Sequence, residues 1–141
     1  MRFVDANVFI YAYYKPKRQL SPKEKQMKEH AKKIISDISQ GNEQVAITVV
    51  HLSEIVNILK HEMRKDQLNL FIRGLFMLDN LRIDGVTRDA YFDAAELGDD
   101  LTLKANDAFA IDLMRQNNMK EIYTFDEDLD QTEGTTRLPK Q

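Results

Sequence analysis

The sequence predicts an α/β fold, a mostly parallel sheet covered by helices on both faces. Strand-like and helix-like segments alternate along the chain, the pattern that produces parallel crossover units. Val45-Ala46-Ile47-Thr48 is an unbroken β-rich run, as expected of a strand buried on both faces. The 141 residues, 43% hydrophobic and 30% charged, suffice for one core. No repeat, low-complexity tract or linker marks an internal boundary, so residues 1–141 read as a single domain.

Each element has its own signal. Arg2 to Asp5 reads as a short strand ending in a carboxylate, and Asn7 to Tyr14 as a short helix stopped by Lys15-Pro16. Ser21-Pro22-Lys23-Glu24 is a helix start with an N-cap, a first-turn proline and a capping box. That helix should run to about Gln40 and stop at Gly41, with Met27, Ala31, Ile34, Ile35 and Ile38 inward. After the strand 45–48, a helix is expected from Val50 to Arg64. Its stripe is Leu52, Ile55, Val56, Leu59 and Met63, with Glu54, Asn57 and His61 on the other face. Asp66 to Leu81 reads as a helix with two apolar stripes, Leu68-Phe71-Ile72-Leu75-Leu78 and Leu70-Met77-Leu81. Such a helix is sandwiched within the fold or against a second subunit. A strand at 82–86, a helix capped by Thr87 through Leu97, a helix from Asn106 to Asn117 and a strand at 121–124 follow. Thr135 to Leu138 adds an edge strand.

Composition removes several classes of function. No apolar run approaches the ~18 residues of a membrane span, since the longest, Val45 to Val50, is interrupted by Thr48. Asp5 and Asn7 break the first apolar stretch, against a signal peptide. With no cysteine, disulfides, thiolate zinc sites and cysteine nucleophiles are excluded. A soluble, cytoplasmic protein is expected. Phosphate-binding glycine loops, an HExxH pair and a GxSxG elbow are all missing, and His30, His51 and His61 read as surface or internally satisfied residues. The net charge of −3 hides an asymmetry, +5 over residues 1–65 and −8 over 66–141. The positive excess gathers in Lys15, Lys17, Arg18, Lys23, Lys25, Lys28, Lys32 and Lys33, either a solvated helix face or a surface for phosphates.

Four acids carry the chemistry. Asp5 closes a strand, Glu54 faces away from its helix's core stripe, Asp107 opens a helix and Asp126 follows the last strand of the parallel set. Each has a plain alternative: turn former, exposed acid, helix cap and acidic loop. In parallel sheets, however, ligands bind beyond the carboxyl ends of the strands, where these acids can converge. Carboxylates brought together raise one another's pKa unless a cation intervenes, and all-oxygen donors select Mg²⁺ or Mn²⁺ over zinc.

Phe3-Val4-Asp5-Ala6-Asn7-Val8-Phe9-Ile10-Tyr11-Ala12 resembles the opening of PIN-domain proteins. Ser53-Glu54-Ile55-Val56 is similar to the family's helical Glu, Asn106-Asp107-Ala108-Phe109-Ala110-Ile111 to its Asp-Ala segment, and Tyr123-Thr124-Phe125-Asp126-Glu127-Asp128 to its final strand and acid. The size fits the toxin-type, VapC-like members. The resemblance implies a three-layer α/β/α sandwich and a Mg²⁺- or Mn²⁺-dependent endoribonuclease. Asp5, Glu54, Asp107 and Asp126 would be its metal-binding acids, with Asn7 and Thr124 as supporting hydrogen-bonders. Asp128 and Asp130 compete for the fourth role, which falls to Asp126 because it directly follows Tyr123-Thr124-Phe125. A homodimer and a partner antitoxin are also implied. RNA phosphates are assigned to Lys15, Lys17, Arg18, Lys23, Lys25 and Lys28. The alternative is a catalytically silent module of the same fold that binds a protein or RNA. Receiver-domain and haloacid-dehalogenase-like readings fit worse, for want of an acidic pair beside Asp5, a lysine after the final strand, and a second Asp where Asn7 stands.

Overall fold

The computed structural model describes residues 1–140. The elements are β1 (Arg2–Val4), α1 (Ala6–Tyr13), α2 (Pro22–Ser39), β2 (Val45–Thr48), α3 (Val49–Leu59) and α4 (Lys65–Phe76). They continue as β3 (Leu81–Asp84), α5 (Arg88–Leu101), α6 (Ala105–Gln116), β4 (Glu121–Tyr123), a 3₁₀ turn (Glu127–Gln131) and β5 (Thr136–Leu138). The strands form one sheet in the order β3-β2-β1-β4-β5, and every pairing is parallel.

Strand alternation builds a core on each face of the sheet. Val4, Val45 and Ile47 point to one side, where they meet Phe9, Ile35, Ile38, Leu52, Ile55, Leu68 and Leu75 from α1 to α4. Phe3, Ala46 and Ile122 point to the other, against Ala110, Ile111 and Met114 of α6. Helix α5 packs on α6. The result is the expected three-layer α/β/α sandwich, and its central strands are apolar on both faces because both are covered. No helix of the described residues is long and apolar enough to cross a membrane.

Several boundaries differ from those the sequence predicts. The 66–81 segment is not one helix: α4 stops at Phe76 and Leu81 opens β3, paired with Val45. The intervening turn is held by Asn80, whose side-chain amide donates to the carbonyls of Ile38 and Glu43, each at 2.7 Å. Leu78 and Leu81 are inward for separate reasons, and their spacing imitates a helical stripe. Of the second stripe, Leu70 and Met77 are exposed, with Phe76 beside them. Helix α3 ends at Leu59 rather than Arg64, because Arg64 caps α4: its backbone N–H donates to the side chain of Gln67. Helix α5 continues past Leu97 to Leu101 and is closed by Thr102 in the left-handed conformation, with Leu103 N–H bonded to the Gly98 carbonyl at 2.9 Å.

Of the five glycines, Gly98 alone sits at a close approach. A Cβ there would lie 2.7 Å from the Leu103 carbonyl oxygen, in the turn that delivers α6. Gly98→Ala is therefore expected to destabilise the protein by about 1–3 kcal/mol through forced backbone movement. Gly85→Ala, with nothing near its added Cβ, serves as control. Urea midpoints of the two variants decide it; equal midpoints would remove the close approach as a constraint.

Candidate active site

Sheet order explains the position of the site. Strand β1 lies between β2 and β4, so the chain leaving β1 at Asp5 and that leaving β4 at Thr124 emerge side by side. Asp5 is 5% exposed. It caps α1 by accepting the Ala6 N–H at 2.7 Å, and its other oxygen accepts the Thr124 hydroxyl at 2.8 Å. The Thr124 Oγ1 also accepts from Asn7 Nδ2 at 3.0 Å and from the Asp126 N–H at 3.1 Å. Asn7 Oδ1 accepts the Phe125 N–H at 3.2 Å, completing the tie between the two strand ends. One hydroxyl thus fixes the acids of the first and last motifs relative to each other.

Asp5, Glu54, Asp107 and Asp126 line one open cleft of about 470 Å³, together with Asn7, Ile10, Tyr91, Lys104 and Asn106. Glu54 reaches it from α3 and Asp107 from the first turn of α6. Asp128 and Asp130 do not line it; Asp130 is paired with Arg137 at 2.7 Å, which holds its carboxyl below the usual range. Sequence reasoning does not single out Tyr91, Lys104 or Asn106. Tyr91 belongs to a helix recognisable only by its cap, and Lys104 and Asn106 merely flank the acid that draws attention.

The charges are unbalanced. Among the described residues, no ion pair involves any of the four acids. Burial, reinforced by the charges of Asp5, Asp126 and Glu54 and by a hydrogen bond with Asp126, pushes Asp107 up to about 7. Burial also raises Asp5, against the opposing hydrogen bonds from Thr124 and the Ala6 amide. As the side chains stand, no group of three or more histidine, cysteine or acidic residues among the described residues is placed to hold a metal ion. The donors themselves fit a hard divalent cation: carboxylate oxygens, with neither sulfur nor imidazole in the lining.

The histidines stay outside the cleft. His51 is fully buried, edge-on to Phe3, with Nδ1 2.6 Å from the Thr48 hydroxyl. Burial drives its pKa down to about 4, so it stays neutral near pH 7. His61 is exposed in the turn after α3 and lines neither this cleft nor the one beside it.

The basic segment adjoins the cleft through Ile10, which also lines the neighbouring pocket of Tyr11, Tyr14, Pro16, Arg18 and Lys28. Its cations are not equally free. Lys28 donates to the carbonyls of Tyr11, Ala12 and Tyr14 at the end of α1. Arg18 pairs with Glu24, and Lys23 lies 3.6 Å from Glu127. Lys15, Lys17 and Lys25 are exposed and have no ion-pair partner among the described residues.

A folded-state pKa above the unfolded value makes the proton a stabilising ligand. The Asp107 contribution is full below about pH 4 and is lost as pH rises towards 7. In EDTA, Asp107→Asn is expected to abolish this decline and to exceed wild type at pH 8 by about 1–2 kcal/mol, after allowing for solvent screening of a partly exposed group. Chemical denaturation from pH 4 to 8 measures it, and parallel curves for the two proteins would refute the strained carboxylate.

The PIN domain sequence pattern matches residues 2–134. No curated protein sequence matches the chain. Among solved structures, VapC20 of Mycobacterium tuberculosis, described as a sarcin–ricin loop cleaving toxin, is similar at 18% identity and a TM-score of 0.67, over 92% of this chain and 93% of that one. A toxin–antitoxin complex from Klebsiella pneumoniae gives 14% and 0.65 over 96% of each chain. VapBC2 of Rickettsia felis, bound to a fragment of promoter DNA, gives 15% and 0.62, again over 96% of each. The fold and the match over nearly the whole chain agree: this chain belongs to the PIN domain family.

Proposed function

We propose that this protein is a Mg²⁺- or Mn²⁺-dependent endoribonuclease of the VapC type, acting as the toxin of a toxin–antitoxin pair. The observation that carries the reading is the convergence of four carboxylates, from four separate segments, on one open cleft in which Asp107 is pushed up to about 7. A cleft that strained has a use for a cation. The likeness to a sarcin–ricin loop cleaving toxin and to toxin–antitoxin complexes supports RNA as substrate and an antitoxin as partner.

Asp5 and Asp107 would hold the ion, with Glu54 and Asp126 completing its surroundings. A bound divalent ion supplies Lewis acidity at the scissile phosphate and to an adjacent water. The chain's own groups supply orientation. Thr124 and the Ala6 amide keep Asp5 facing the cleft, Asn7 braces Thr124, and Asp107 releases its proton before it can act as a donor. Lys104 at the rim offers a positive charge to the substrate backbone. Lys15, Lys17, Arg18, Lys23 and Lys25 extend that surface, with the unpaired lysines contributing most. Lys28 acts indirectly, by holding the end of α1. The exposed Leu70, Phe76 and Met77 of the α4 region supply an apolar patch for a second copy of the chain.

No histidine lines the cleft among the described residues, so hydrolysis should leave 5′-phosphate and 3′-hydroxyl ends. Incubation with structured RNA and Mn²⁺, followed by end analysis, tests this. Asp5→Asn should lower cleavage by at least ~10³-fold with little change in circular dichroism. Full activity in that variant would reject the site, and 2′,3′-cyclic phosphate ends would reject the route. A protein that neither cuts RNA nor gains thermal stability with Mn²⁺ would be the silent binding module instead.

Replacing Lys15, Lys17 and Lys25 together by Glu should weaken RNA binding and reduce the slope of log K against log salt by about 2, at ~0.7 for each single-strand phosphate that is no longer neutralised. An unchanged slope would take these lysines out of the interface.

A further inference from the structure

Glu54, like Asp107, is a member of the acidic set that no strand end holds. Its support comes from two residues outside the four acids, Asn106 of the Asp-Ala segment and Tyr91 of α5. Asn106 Nδ2 donates to Glu54 Oε1, and Asn106 Oδ1 accepts the hydroxyl of Tyr91. The Tyr91 ring is set edge-on against Phe109, 6.1 Å between centroids. The three side chains of the relay, Glu54, Asn106 and Tyr91, come from α3, α6 and α5 in that order. The turn at Gly98 and Leu103 fixes α5 against α6.

The hydroxyl has a defined task. An asparagine amide can be turned either way in its socket. Turned the wrong way, its oxygen would face the carboxylate and repel it. A phenol that donates to Oδ1 favours the orientation that presents Nδ2 to Glu54. The second oxygen of Glu54 has no hydrogen-bond partner among the described residues. Tyr91, Asn106 and Glu54 also form the wall between the acidic cleft and a second cleft of about 440 Å³, lined further by Ser53, Asn57, Thr87 and Arg88. The relay is therefore reached from both sides, and its outer member sits at the surface.

We infer that Asn106 and Tyr91 are positioning residues for Glu54: the phenol sets the amide, and the amide clamps one carboxylate oxygen so that the other faces the cation. This rests on the metal-dependent reading above. Groups that orient a ligand from outside typically contribute 10- to 100-fold in metal affinity. Their effects are coupled when they act through one chain of contacts.

The experiment is a thermal-shift titration of the full chain with Mn²⁺, with melting in EDTA as the check on folding. Asn106→Ala should move the Mn²⁺ midpoint about 10- to 100-fold higher. Tyr91→Phe, which removes only a hydroxyl at the rim, should move it in the same direction by about tenfold or less. It should have no further effect in the Asn106→Ala background, and Asn106→Ala should have none in a Glu54→Gln background. RNA cleavage at saturating Mn²⁺ should recover in both single variants. Unchanged midpoints in Asn106→Ala and Tyr91→Phe, beside a normal wild-type shift, would overturn the relay and leave the metal reading standing. Additive effects of the two substitutions would overturn it as well, because the tyrosine would then act independently. A wild-type protein with no Mn²⁺ shift would remove the metal reading and the relay together.

Discussion

The mutual repulsion of four carboxylates gathered in one cleft is the constraint on which the rest of this molecule turns. Dispersed in an unfolded chain, Asp5, Glu54, Asp107 and Asp126 would ionise independently. Folding carries them together into a partly buried cleft, and burial, reinforced by the neighbouring charges, holds Asp107 at about 7. The apolar cores on both faces of the sheet must offset this cost. The site is therefore a load on the scaffold, and a divalent ion would relieve it.

The scaffold bears that load by fixing the acids from behind. Asp5 is satisfied by an amide and a hydroxyl, Asp126 is tied to the same hydroxyl, and Glu54 is clamped by Asn106. Among the described residues, Asp107 alone of the four has no such support from a neutral group, and its neighbours in the cleft add charge rather than relieve it. Distributing support unevenly leaves one carboxyl as the adjustable member, able to take or release a proton as the charge in the cleft changes.

Much of this is legible in the sequence because it lies in local patterns. A strand that ends in Asp, a helix that opens with Asn-Asp, and a Glu opposite an apolar stripe are each readable within a short window, and family resemblance joins them. The Ser21 cap, the doubly buried 45–48 strand and the edge strand near 136–138 have the same local character. The features that escape such reading depend on three-dimensional neighbours. Nothing near Tyr91 in the chain announces that its hydroxyl meets Asn106, 15 residues on. Lys28 looks like one more surface cation until the end of α1 is seen to present it three carbonyls. The 66–81 segment misleads for the opposite reason. A helical period continues across a turn because a loop leucine and a strand leucine happen to fall in step. Leu81 answers to Val45 rather than to its own neighbours.

The central place of β1 has a further consequence for how the protein is made. Asp5 leaves the ribosome well before its partners Tyr123 and Thr124, the latter 119 residues further along the chain. Contacts of such long sequence separation form late. A nascent chain still short of those residues lacks both the strand that pairs with β1 on that side and the threonine that aims the first acid. The order of synthesis thus leaves Asp5 without its orienting partner until Thr124 has been made.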